Sequence, residues 1–286
     1  MGNPTEADFT YEGGAAPPPY AAMDAGARAA PYPPAPSYQA VSGASTSGVA
    51  GASNRFPQSV NAYFPKNGLS KLFHIGEHAD KPLVAFRMHS GFSGKPMLEL
   101  HAGPDGSEPV IASAGTESRW GLSKTTVVKL NPAVDPSSSS TQQPATITMR
   151  ETRQGKHITY PFSVEVGLGK DVRVEHFEWR GSGGGEVKEL GKHARGYKLV
   201  RLGSDALGQG GERAARSAGA SSDGKEIVAV FAANTSWSMN KVLKFQYLES
   251  GATGVLGDQF ALAALVTGVK IWYVEFIIAQ STAASA

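Results

Sequence analysis

The chain contains no cysteine among its 286 residues. Disulfides, cysteine nucleophiles, thiolate zinc sites and palmitoyl anchors are excluded together, and the absence fits a reducing compartment. Charge is also scarce: 18% of residues are Asp, Glu, Lys or Arg, and the formal net charge is +2. A dedicated nucleic-acid binder carries a concentrated basic stripe, so no nucleic-acid partner is expected. The N-terminus shows no basic segment followed by an apolar run, as a secretory signal would. Met1-Gly2 is followed by Glu6 where a myristoylation site wants Ser or Thr. The expected location is therefore intracellular, cytoplasmic or peripherally membrane-associated. Asn234-Thr235-Ser236 matches a glycosylation acceptor that would not meet its machinery there. No G-x-x-x-x-G-K-[ST], G-x-G-x-x-G or G-x-S-x-G run occurs, so neither enzymatic activity nor a cofactor is expected.

Gly 34 and Pro 18 are plentiful, and half of the prolines fall in residues 1–58. Residues 1–58 are rich in Ala, Pro, Gly, Ser and Tyr without apolar periodicity. Such a segment cannot bury enough apolar surface to offset its ordering entropy, so a disordered tail is expected there. Within it, Pro17-Pro18-Pro19-Tyr20 is a P-P-x-Y motif, and Pro33 to Tyr38 echoes it. Proline pre-sets the polyproline II form that WW-type grooves dock. Pro17, Pro18 and Tyr20 are thus the candidate contacts for a WW-domain partner.

Residues 59–286 form the expected folded domain. His157 to Val166 alternates cleanly, with Ile158, Tyr160, Phe162, Val164 and Val166 on one face, and Pro161 marks an edge or bulge. Shorter runs recur at 83–88, 97–101, 127–130, 145–150, 172–180, 197–202, 226–232 and 242–248, separated by Gly-, Pro- and Asp-rich turns. This spacing predicts an antiparallel sandwich or barrel. Ile227 to Phe231 is apolar on both faces and must be covered on both. In 172–180 the apolar set slips from Val172 and Val174 to Phe177 and Trp179, which predicts a bulge near His176. Two polar insertions, 131–144 and 203–224, read as loops outside the core. Residues 259–280 read as a helix opened by Asp258 and apolar around its whole circumference. Such a helix is buried in a core or in a bilayer. Lys270 and Glu275 argue against a span, because each charge near its centre costs about 2.5–3.5 kcal/mol. A helix threaded through a barrel accounts for helix and strands together.

Two constellations invite chemistry. His74-Ile75-Gly76-Glu77-His78 matches the H-x-x-E-H pattern of inverted zinc peptidases, in which a helix sets both histidines on one face. Gly76 interrupts it, and a turn leading into the next strand is the competing reading. Lys188, Lys192, His193, Arg195, Lys198 and Arg201 crowd a loop and its flanking strand. Lys188, Lys192, Arg195 and Lys198 are the candidates for holding a phosphorylated headgroup. Glu186 and Glu189 interleave, as on an ordinary solvated face.

The succession Phe177-Glu178-Trp179-Arg180-Gly181-Ser182, Gly196 to Leu202, Asp223 to Val230, Lys244 to Leu248 and Val269-Lys270-Ile271-Trp272 resembles the tubby C-terminal-like superfamily, in the branch of LURP-one-related proteins and phospholipid scramblases. The likeness covers about residues 68–280. It implies a mainly β fold: an antiparallel barrel of about twelve strands around a hydrophobic C-terminal α-helix. Tubby-type members bind phosphoinositides through basic surface residues; scramblase-type members carry PY-containing tails and act at membranes. This chain lacks the scramblases' cysteine-rich segment and an acidic calcium-binding run, which argues against scrambling itself. The resemblance assigns no lipid-binding residue. Together these readings predict a non-enzymatic module that binds membrane phospholipid or phosphoinositide and recruits a WW-domain partner. The alternatives are a protein-interaction scaffold without lipid binding, and a zinc peptidase through His74, Glu77 and His78.

Overall fold

A computed structural model describes residues 55–65, 71–89, 93–117, 123–131, 144–155, 157–191, 195–205, 219–233 and 240–283. All of them belong to one compact unit, Gly48–Ala286. Thirteen strands follow in chain order. They are β1 Ser59–Tyr63, β2 Leu72–Gly76, β3 Val84–Met88, β4 Leu98–His101, β5 Val110–Thr116, β6 Thr125–Leu130 and β7 Ala145–Arg150. The second half holds β8 Thr152–Gln154, β9 His157–Val166, β10 Arg173–Ser182, β11 Gly196–Asp205, β12 Lys225–Ala233 and β13 Lys241–Tyr247. Helices α1 (Gly185–Leu190), α2 (Glu249–Ala252) and α3 (Gly257–Ala283) complete the fold.

The strands form a single antiparallel sheet in the order β7-β6-β5-β4-β3-β2-β1-β13-β12-β11-β10-β9-β8. Consecutive strands are neighbours throughout, and β1 pairs with β13. The sheet curls until β7 lies beside β9 without a ladder between them, so the barrel is nearly closed. Pro161 falls just past the reach of β8, which pairs only with residues 157–159 of β9. That is where a residue without an N–H is tolerated.

Inside the barrel runs α3, about 40 Å long at 1.5 Å per residue, buried from Phe260 to Tyr273 apart from Lys270. Aromatic layers seat it. Phe260 packs on Phe177, Trp179 packs on Phe231 and Phe245 at mid-barrel, and Trp272 packs on Phe73 and Phe64. At mid-barrel α3 presents Gly268, where an added Cβ would stand 3.1–3.2 Å from Trp179, Phe231 and Phe245. The indole Nε1–H of Trp179 donates to Thr267 Oγ1 at 2.9 Å. Among the described residues α3 is the single helix long and apolar enough to cross a membrane, yet 67% of its apolar window is buried in the barrel.

The two-faced strand β12 is covered on both sides. Ala229 and Phe231 face α3, while Ile227, Val230 and Ala232 lie beneath Val187 and Leu190 of α1. The bulge expected near His176 is not there: β10 pairs with β9 in unbroken register from Arg173 to Arg180. The inward position preceding Phe177 is held by Glu175, and Val174 points outward, 61% exposed. A polar residue at the barrel end had mimicked a change of face.

Candidate functional site

The linear cluster of cations does not stay together. Lys188 stands exposed on α1, and Arg195 stands exposed ahead of β11. Lys198 points outward from β11 and is covered, 6% exposed, with Nζ 3.9 Å from Glu186 Oε1. Arg201, three residues on, turns to the opposite face, because successive strand residues alternate. Its guanidinium bonds both carboxylate oxygens of Glu175 at 2.5 and 2.8 Å and Glu226 at 3.1 Å. Ser204 Oγ and the Ser250 N–H also donate to Glu226. The hydrogen bonds from Arg201 hold the Glu175 carboxyl below the ordinary range. For Glu226, burial opposes ionisation, but Ser250, Ser204 and Arg201 outweigh it and its carboxyl is also lowered. Arg201 is thus tied into one end of the barrel. Lys192 and His193 lie outside the described residues, as do Pro17, Pro18 and Tyr20.

His74 lies on β2, whereas Glu77 and His78 follow in the turn that bridges His78 to Lys81. A strand and a turn do not present that spacing on one face as a helix does. Among the described residues no group of three His, Cys, Asp or Glu side chains could hold a metal ion.

A different arrangement emerges when charges are grouped by the end of the barrel at which they sit. Antiparallel connectivity sends alternate connections to opposite ends. At the end where α3 leaves, the strand termini and described connections carry Lys71, Lys95, Lys124, Arg150, Lys188, Arg195 and Lys241 against Glu117, Glu151, Glu186 and Glu189. At the end where α3 enters, Glu77, Asp80, Glu108, Asp171, Asp223 and Glu249 stand against Lys81, Lys170, Arg173 and Lys225, while the Asp105–Gly106 turn folds back along the outer wall to Leu72 and Arg87. Among these described residues the surplus is three positive charges at the exit and two negative charges at the entrance. The described residues of a chain whose net charge is +2 are thus polarised along the barrel axis.

Polar groups ring the exit. Burial lowers the Lys270 ammonium to about 8, with Glu151 opposing that shift. Burial raises the Tyr160 hydroxyl to about 12. Tyr197 OH donates to Glu275 Oε1 at 2.5 Å, and burial raises the Glu275 carboxyl despite that bond. Beyond Glu275 the helix protrudes: Ile277 is 41% and Ile278 58% exposed.

A second feature lies on the outer wall, where β7 fails to pair with β9. A cleft of about 440 Å³ is lined there by Thr146, Thr148, Pro161, Ser163, His176 and Leu202 among others. The Ser163 hydroxyl and His176 Nδ1 share a 2.7 Å hydrogen bond. The two residues sit directly opposite each other in the β9–β10 register, as an ordinary cross-strand pair does.

No family model, curated protein or solved structure matches the chain. Function therefore rests on the geometry and on the sequence motifs. Sequence reasoning missed the basic end because its residues are scattered from 71 to 241 and only the sheet topology gathers them. Strand termini tagged by sign could have exposed it, since nearly every connection at one end carries a cation.

Proposed function

We propose that this protein is a non-enzymatic module that binds anionic membrane phospholipid through the basic end of its barrel. The observation that supports this reading is the axial separation of charge, with cations gathered around the exit of α3. A basic surface near an anionic leaflet gains about 1 kcal/mol per Lys or Arg within a Debye length. The acidic opposite end disfavours the reverse approach and orients the barrel before contact. The resemblance to the tubby-like superfamily points the same way. The tail adds a second contact: Pro17, Pro18 and Tyr20 recruit a WW-domain protein to the surface the barrel occupies.

Vesicle co-sedimentation of the full chain tests the lipid reading. Binding to phosphatidylcholine vesicles should appear on adding phosphatidylserine or a phosphoinositide and fall as salt is raised. The triple charge reversal K71E/K95E/K124E should abolish it, while the exposed reversal K170E at the opposite end should leave it intact. Equal binding to neutral and anionic vesicles, or no binding to any, contradicts the reading. Tyr20→Ala should separately end capture by a WW domain without touching vesicle binding.

A further inference from the structure

We propose that the protruding end of α3 is a membrane anchor, so that the ligand is an intact anionic bilayer into whose interface Ile277 and Ile278 insert. This rests on the lipid-binding reading above and adds the mode of contact. Glu275 is the last charged residue of α3, and Tyr197 draws its carboxylate back to the barrel rim. From Phe276 to Ala283 the helix carries no charge. Ile277 and Ile278 stand among the most exposed large apolar side chains of the described residues. The hydroxyls that follow them are satisfied within the helix itself: Ser281 Oγ and Thr282 Oγ1 both donate to the Ile278 carbonyl, at 2.8 and 2.9 Å. A polar side chain that bonds its own backbone sheds its water at little cost.

The tip is also held rigidly. Phe276 packs at 5.5 Å from both Phe64 and Trp272, inside the aromatic layer that closes the barrel. Residues 277–283 project about 10 Å beyond that layer at 1.5 Å per residue. An interfacial element reaches roughly 5–10 Å into the headgroup and acyl boundary. That depth sets Lys71, Lys95, Lys124, Arg150 and Arg195 at headgroup level around it.

A second exposed apolar group makes the choice of end decidable. Leu168, Val172, Val174 and Val255 are 43–61% exposed at the entrance of α3. Their neighbours include Glu165, Asp171 and Asp258 beside Lys170 and Arg173. That patch lacks the positive surplus an anionic leaflet requires. The tip of α3 combines exposed apolar side chains with complementary charge.

The test is flotation of the full chain with phosphatidylcholine vesicles, with and without phosphatidylserine, and with inositol hexaphosphate as a soluble competitor. I277D/I278D should lower the partition coefficient roughly tenfold or more, with an unchanged thermal melt because both side chains are exposed. A279W should raise it. L168D/V174D at the opposite end should behave as the parent does. Parent-like binding by I277D/I278D, or complete displacement by inositol hexaphosphate, overturns the anchor and leaves lipid binding standing. Loss of binding in L168D/V174D alone assigns the anchor to the wrong end. Self-association that I277D/I278D abolishes, without flotation of the parent, makes the tip a contact between protein copies and removes both proposals. Failure of the parent chain to float on any vesicle without such association also removes both.

Discussion

Replacing Thr267 by Val removes the side-chain hydrogen bond that ties Trp179 of the strand wall to the central helix at mid-barrel. Thr267 and Trp179 are both fully buried, and the indole Nε1–H has Thr267 Oγ1 as its acceptor at 2.9 Å. Thr267 Oγ1 in turn donates to the Ala263 carbonyl at 2.7 Å. Valine keeps the volume and the β-branching, so packing and helix propensity nearly cancel. What remains is a buried N–H without an acceptor, which costs about 1–3 kcal/mol. For a domain of this size, 1 kcal/mol moves Tm by roughly 2–4 °C, so a fall of about 2–12 °C is expected. Circular dichroism melts and urea unfolding of T267V measure it. T267S, which keeps the acceptor and loses only a methyl group, should recover part of the loss. On a W179F background, where no N–H exists, T267V should cost far less. Equal costs in both backgrounds would refute the pairing and, with it, the seating of α3 against β10.

Other consequences follow from buried charge and close approach. Arg201→Met leaves Glu175 with Arg173, and Glu226 with Ser204 and Ser250, as their remaining partners; both carboxylates are 11–13% exposed, and the loss should cost about 2–4 kcal/mol at neutral pH in urea unfolding. Both carboxyls are lowered in the fold, so their contribution is complete above the ordinary carboxyl range and is lost as pH falls through the folded values. The penalty of R201M should therefore shrink in acid; a pH-independent penalty would contradict the network. Lys270→Met should stabilise the protein by about 2 kcal/mol at pH 7, because folding forces a charged ammonium into a dry site. With Lys270 lowered to about 8 from its ordinary 10.5, that gain should fade as pH rises through this interval; a constant gain would mean ordinary repacking. Gly196→Ala would place a Cβ 2.0 Å from the Phe231 carbonyl oxygen and 3.0 Å from Ala232 Cα. Since that backbone belongs to β12, a loss of about 2–3 kcal/mol is expected in chemical denaturation, and a neutral variant would show that β11 and β12 are less closely apposed at Gly196.

The strands whose side chains alternate strongly were legible in the sequence, and so was the helix. The alternation of β9, the two apolar faces of β12 and the all-round apolar α3 each follow from where those residues sit. The strands missed have physical reasons. On β5 the inward positions are Ala112 and Ala114, fully buried where α3 comes close. Small residues leave no apolar signature although they allow that approach. β2 is five residues long and ends at Gly76, where a Cβ would meet the Lys81 carbonyl oxygen at 2.7 Å, so a close turn masked the strand before it. Helix α1 is six residues long behind a glycine run, and its two apolar residues make no periodic pattern. For the site, nearness in sequence misled. Lys198 and Arg201 diverge to opposite faces of one strand, whereas Lys71 and Lys241 share an end of the barrel because β1 pairs with both β2 and β13.

The central claim is that the bilayer meets the barrel at the exit of α3. Amide hydrogen exchange of the full, unmodified chain, with and without vesicles containing phosphatidylserine, tests it most directly. Slowed exchange confined to residues 274–283 and the strand ends around them, with 165–174 unchanged, is the predicted result. Protection at 165–174 with none at 274–283 would contradict it.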